Sequence, residues 1–156
     1  MSVNFSGLTP NNLPTNSRAV LDANYIVSVA MPAAAAKANT NALDLGDVVS
    51  GIPYATTETI NVGVLTTASA NGNSNTATIT IQDAAANTDG TPNTATWANV
   101  LLMGQVNVTS GASSTAAASG TFKLPPTVRR FIRAQINNPT GSVSLADATL
   151  TLQLLF

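Results

Sequence analysis

The residues able to do chemistry in this chain are concentrated in one stretch, Lys123-Leu124-Pro125-Pro126-Thr127-Val128-Arg129-Arg130-Phe131-Ile132-Arg133. It contains Lys123, Arg129, Arg130 and Arg133, four of the six basic residues of the protein. Guanidinium groups beside an aromatic ring are suited to recognising the carboxylates and carbonyls of another protein, because arginine offers a planar fork of donors and stacks on rings. In an extended chain successive side chains switch face, so Phe131, Arg133 and Gln135 are predicted on one side and Arg130, Ile132, Ala134 and Ile136 on the other. The apolar set is expected to look into a core, which would present Phe131 and Arg133 outward together as partner-binding residues. For each arginine two destinations are open: an acidic residue on a neighbour, or Asp44, Asp47 or Asp83 of the same chain.

Other chemistries start far behind. The chain has no cysteine and no histidine, which removes disulfides, thiol nucleophiles, the commonest general base and the commonest transition-metal ligand. Carboxylates remain. Asp44 and Asp47 flank Leu45-Gly46 in a turn pattern, and Glu58 falls on an alternating strand without a recognisable partner for paired-carboxylate glycoside chemistry. A calcium cage would need about six to eight oxygens in a recognisable spacing, and turn chemistry accounts better for the two aspartates. The expectation is a protein that is not an enzyme and uses no cofactor, metal or small-molecule substrate. A net charge of −1 and a basic footprint confined to one segment argue against nucleic-acid binding. The most apolar window, Ala19 to Ala36, is interrupted by Asp22, Asn24 and Pro32, so no membrane span is predicted. No basic residue precedes Arg18, as a secretory leader would require, and the protein is expected to be made in the cytoplasm.

The elements that must position the basic stretch follow from composition and period. Charged residues are 8% of the chain, against about 25% in an ordinary globular protein. Such a surface has little repulsion to keep copies apart, which favours assembly. Ala, Thr, Asn and Ser supply about half of the residues, with a single glutamate, so strands and turns are expected in place of long helices.

Residues 1–40 read as an N-terminal arm, with Phe5 and Leu8 as possible anchors on a partner and a short strand near Tyr25–Val29; Ala33–Ala38 could form one helical turn. Residues 41–156 read as the folded domain. Asn41–Leu45, the alternating run through Val62 and Val64, and Ala77-Thr78-Ile79-Thr80-Ile81 are predicted strands. The Asn71-Gly72 dipeptide predicts that the last two pair as a hairpin. Pro125-Pro126 marks a corner between strands, since neither residue can donate to a ladder. The final strand places Ala146, Ala148, Leu150, Leu152, Leu154 and Phe156 on one face. About eight short strands with loops of about four to twelve residues predict an all-β antiparallel jelly roll or sandwich.

Four places in order then meet a known pattern: Asn41-Ala42-Leu43-Asp44-Leu45-Gly46, Ala77-Thr78-Ile79-Thr80-Ile81-Gln82-Asp83, Trp97, and Leu124-Pro125-Pro126 with Arg129-Arg130-Phe131-Ile132-Arg133. On these the sequence resembles the small jelly-roll cement, or decoration, proteins of tailed-bacteriophage heads, of the type found in Bordetella podophages. Asp83 is followed here by alanines where such proteins carry adjacent acidic residues, and the first 40 residues exceed the family core. The resemblance implies a homotrimer on the outer surface of the virion head that ties neighbouring copies of the major capsid protein together. The competing expectation is a glycan-binding or fibre/adhesin-type sandwich, with Trp97 stacking on a sugar and Tyr25 or Tyr54 as a second platform.

Overall fold

A computed structural model describes residues 26–45, 61–71, 76–100, 106–109, 116–125, 127–139 and 143–155. The described residues are nearly all β. The strands are β1 (Ile26–Ala30), β2 (Lys37–Asn39), β3 (Leu43–Asp44), β4 (Asn61–Thr66), β5 (Thr76–Ala84), β6 (Ala98–Asn99), β7 (Val106–Thr109), β8 (Ser119–Lys123), β9 (Phe131–Asn137) and β10 (Thr149–Leu155), with one 3₁₀ turn at Thr94–Thr96. They form two antiparallel sheets. The first has the order β1-β10-β4-β8, and the second is built on the central pair β9-β5, with β2 and β3 along the far side of β9 and β6 and β7 along the far side of β5. The described residues hold ten strands, several of only two or three residues, where the sequence led to about eight.

The alternation read from the sequence decides which face is buried. Val62 and Val64 of β4 and Leu150, Leu152 and Leu154 of β10 meet Ile79 and Ile81 of β5 and Ile132, Ala134 and Ile136 of β9 in one core between the sheets. Each fully buried aliphatic side chain contributes about 1.5–3 kcal/mol by leaving water. Ala148, just before β10, joins that core, whereas Ala146 lies exposed in the preceding turn; Phe156 lies outside the described residues.

Two local features depart from the sequence reading. Ala33–Ala38 forms no helical turn. It bends at Ala34–Ala35, with Ala35 at φ 57°, and enters β2. The carbonyls that a helix would use are committed elsewhere: Asn138, 2% exposed, donates through Nδ2 to Pro32 O (3.2 Å), Ala33 O (3.1 Å) and Val143 O (2.9 Å), and its backbone N–H donates to Ala36 O (3.0 Å). One buried amide thus holds the β1–β2 turn against the start of the β9–β10 connection. The second departure is the expected hairpin across Asn71-Gly72. β4 pairs with β10 and β8, while β5 pairs with β9, β6 and β7, so the connection passes from one sheet to the other.

β1 and β2, which the sequence reading grouped with the arm, supply edge strands to both sheets. Between Asn39 opposite Gln135 and Leu43 opposite Ile132, three residues face two, so the β2–β3 edge carries one extra residue, a β-bulge. Thr40 holds the ladder together there: its N–H donates to Ala134 O and its hydroxyl accepts from the Ala134 N–H, both at 3.0 Å. The hydroxyl stands in for the ladder carbonyl that the bulge displaces.

Candidate functional site

The connection that begins at Leu124-Pro125 carries the chain from β8 in the first sheet to β9 in the second. It divides the basic run. Lys123 is exposed on β8 opposite Asn61, in the first sheet, while the three arginines gather at the start of β9 in the second. Phe5 and Leu8 lie outside the described residues.

Two of the arginines are committed within the chain. Arg129 donates from Nε to Asp83 Oδ1 (2.9 Å) and from Nη2 to Asp83 O (2.7 Å), and its backbone N–H donates to Asp83 Oδ2 (2.9 Å). Asp83, 8% exposed at the end of β5, is thereby neutralised and tied to the corner. Arg130 makes a bidentate pair with Asp44, Nε to Oδ1 and Nη2 to Oδ2, both 2.8 Å, and its guanidinium lies 5.1 Å from the centre of the Phe131 ring. This joins β3 to the entry of β9.

Phe131 shares the outer face with Arg133, as the alternation predicts, but it is not presented to a partner. It is 5% exposed. Its backbone lies opposite Asp44 on one side and the fully buried Ala84 on the other, and the Arg130 guanidinium lies against the ring. Covering the ring removes apolar area from water, which outweighs the advantage of an exposed aromatic contact. Phe131 therefore supports the face.

Arg133 differs from its two neighbours. Its guanidinium sits 4.1 Å from the centre of the Trp97 ring, and Nε donates to Gln82 Oε1 at 2.9 Å. Gln82 Nε2 in turn donates to Asn99 Oδ1 at 3.1 Å. Arg133 and Gln82 are register partners, as are Gln82 and Asn99, so the row runs straight across β9, β5 and β6. Partial burial lowers the guanidinium's pKa from its ordinary value, and it remains a cation at any physiological pH. It has no carboxylate partner among the described residues. Trp97, which the sequence left between core residue and sugar platform, is half-buried and stacks with Arg133, so that ring face is already occupied.

The sequence reading did not include Gln82 or Asn99 among the site residues. No local motif marks them, because only the pairing of β5 with β9 and β6 brings them into line with Arg133. Trp97 is held at this edge by the β5–β6 turn: Asn93 caps the 3₁₀ turn through Ala95 N–H (3.1 Å), Thr96 Oγ1 accepts from Ala85 N–H (3.2 Å), and Ala86 bridges Pro92. At the tip Gly90 takes φ 84°, a left-handed conformation that costs glycine little.

No protein-family model matches the sequence, and no curated protein matches it significantly.

Proposed function

We propose that this chain is a structural cement protein that binds the outer surface of a mature bacteriophage head and clamps neighbouring copies of the major capsid protein, acting as a homotrimer. Its observational support is Arg133. Two arginines of the basic cluster are satisfied within the chain, while the third is held by a ring and a buried amide and has no carboxylate partner among the described residues. A cation fixed in this way loses little conformational entropy on meeting an acidic or carbonyl-rich surface. The antiparallel sandwich and the low overall charge suit a lattice-bound role, and the sequence resemblance is what directs the proposal to a phage head. The jelly-roll topology, the trimer and the virion location belong to this proposal. Three linked copies would turn individually weak contacts into firm attachment through effective concentration.

The test is protection of the shell. Undecorated expanded heads of the phage that encodes the protein are heated with and without it, and release of the packaged DNA is followed. A cement raises the release temperature in a dose-dependent, saturating manner; an unchanged release temperature at saturating protein would refute the role.

A further inference from the structure

We propose that the outer face of the second sheet carries a carboxylate-receiving site built from Arg133, Trp97, Gln82 and Asn99, whose partner is an acidic loop of another protein. The site deepens the cement reading, on which the identity of that partner as a head protein rests.

The direction of the hydrogen bonds carries the inference. Arginine can only donate, so Gln82 must turn its oxygen to Arg133 Nε and its amide nitrogen to Asn99. Asn99 must then accept through Oδ1, which leaves Nδ2, a donor, as its unused group. The polarity set by one cation thus passes through a buried amide to the far strand. The row ends in donors on both sides: the Arg133 Nη groups, with no acceptor among the described residues, and Asn99 Nδ2, likewise unpaired there. Asn99 is exposed, Arg133 is half-exposed, and Gln82 between them is 8% exposed with both polar ends used.

With donors at both ends, such a row attracts acceptors. The backbones of β9 and β6 lie two strand spacings apart, about 10 Å. A carboxylate meets Arg133, and a second acceptor of the same loop, a carboxylate or a backbone carbonyl, meets Asn99. Trp97 supports the guanidinium plane and reduces its hydration, which strengthens a charge-assisted hydrogen bond. Arg129 and Arg130 already hold Asp83 and Asp44, which places this affinity at Arg133.

The test uses the full chain and three probes at low ionic strength: a fluorescein-labelled glutamate-rich peptide, its glutamine counterpart, and free acetate. Anisotropy gives peptide affinity, and the emission of Trp97, the single tryptophan, reports occupancy of the site. The glutamate peptide is expected to bind saturably and shift the emission, and the glutamine peptide to do neither. Arg133→Lys keeps the charge and loses the stacked fork, and is expected to weaken binding about tenfold; Asn99→Ala is expected to weaken it about threefold. Equal binding of the two peptides, or unchanged affinity in Arg133→Lys, would overturn the site. Acetate saturating the same signal at equal carboxylate concentration would overturn the acidic loop as its partner. Peptide binding without head binding would count against the cement reading alone.

Discussion

Arg129 and Arg130 are adjacent and identical in type, yet their surroundings give them different weights. Arg129 meets a side chain that is 12% exposed and supplies donors to both carboxylate oxygens and the carbonyl of Asp83. Removing it leaves an aspartate shielded from water with only a backbone N–H. Arg129→Ala is expected to cost about 2 kcal/mol, a value reduced from that of a fully buried pair because the guanidinium itself is one-third exposed. Arg130 meets Asp44, whose side chain is 43% exposed, and Arg130→Ala is expected to cost about 1 kcal/mol or less. Urea denaturation of the two variants checks the order; an Arg130 variant less stable than the Arg129 variant would contradict it. At this scale the sequence was half legible. It showed that the arginines had two possible destinations, and it could not choose between them, because Asp44 and Asp83 reach the cluster only through the pairing of β3 and β5 with β9.

Among the elements, the passage from β4 to β5 shows how a sheet change is secured. Asp147, in the turn before β10, accepts from Ser69 Oγ (2.6 Å) and from Ala70 N–H (2.7 Å), and Ser69 Oγ accepts from Asn71 N–H (3.0 Å). These bonds, the Ser69 hydroxyl foremost and the Ala70 N–H next, hold the Asp147 carboxyl below the usual carboxylate range. A carboxyl lowered on folding stabilises the native state above its unfolded pKa of about 3.9 and loses that contribution as pH falls through the lower folded value. The Ala70 amide resonance is therefore expected to titrate with a midpoint below about 3.9, and a midpoint at or above it would contradict the assignment. In Asp147→Asn the same amide is expected to exchange faster with solvent at neutral pH. The local signals here were read correctly and joined wrongly. Val62, Val64, Ile79 and Ile81 are buried as their alternation predicts. Asn-Gly marks a reversal of the chain but does not say whether the next strand pairs with the last or crosses to the opposite sheet, a choice made by β10 and β9. The alanine run misled for a related reason, since the buried amide of Asn138 lies about a hundred residues further along the chain.

For the whole molecule, period-two alternation was enough to give an all-β protein with one core between two sheets, because burial of one face per strand leaves few other arrangements. Function was less legible. Low charge, the absence of histidine and cysteine, and one basic cluster give only the expectation of a binding or assembly role, because a partner's surface is not encoded in this chain. If the protein recognises a junction formed only when the head expands, it stabilises that state by differential affinity. Co-sedimentation with undecorated heads, unexpanded and expanded, measures this directly. Saturable binding to expanded heads alone, weakened by Arg133→Lys, is the expected result; absence of binding to expanded heads, or equal binding to both forms, would contradict it.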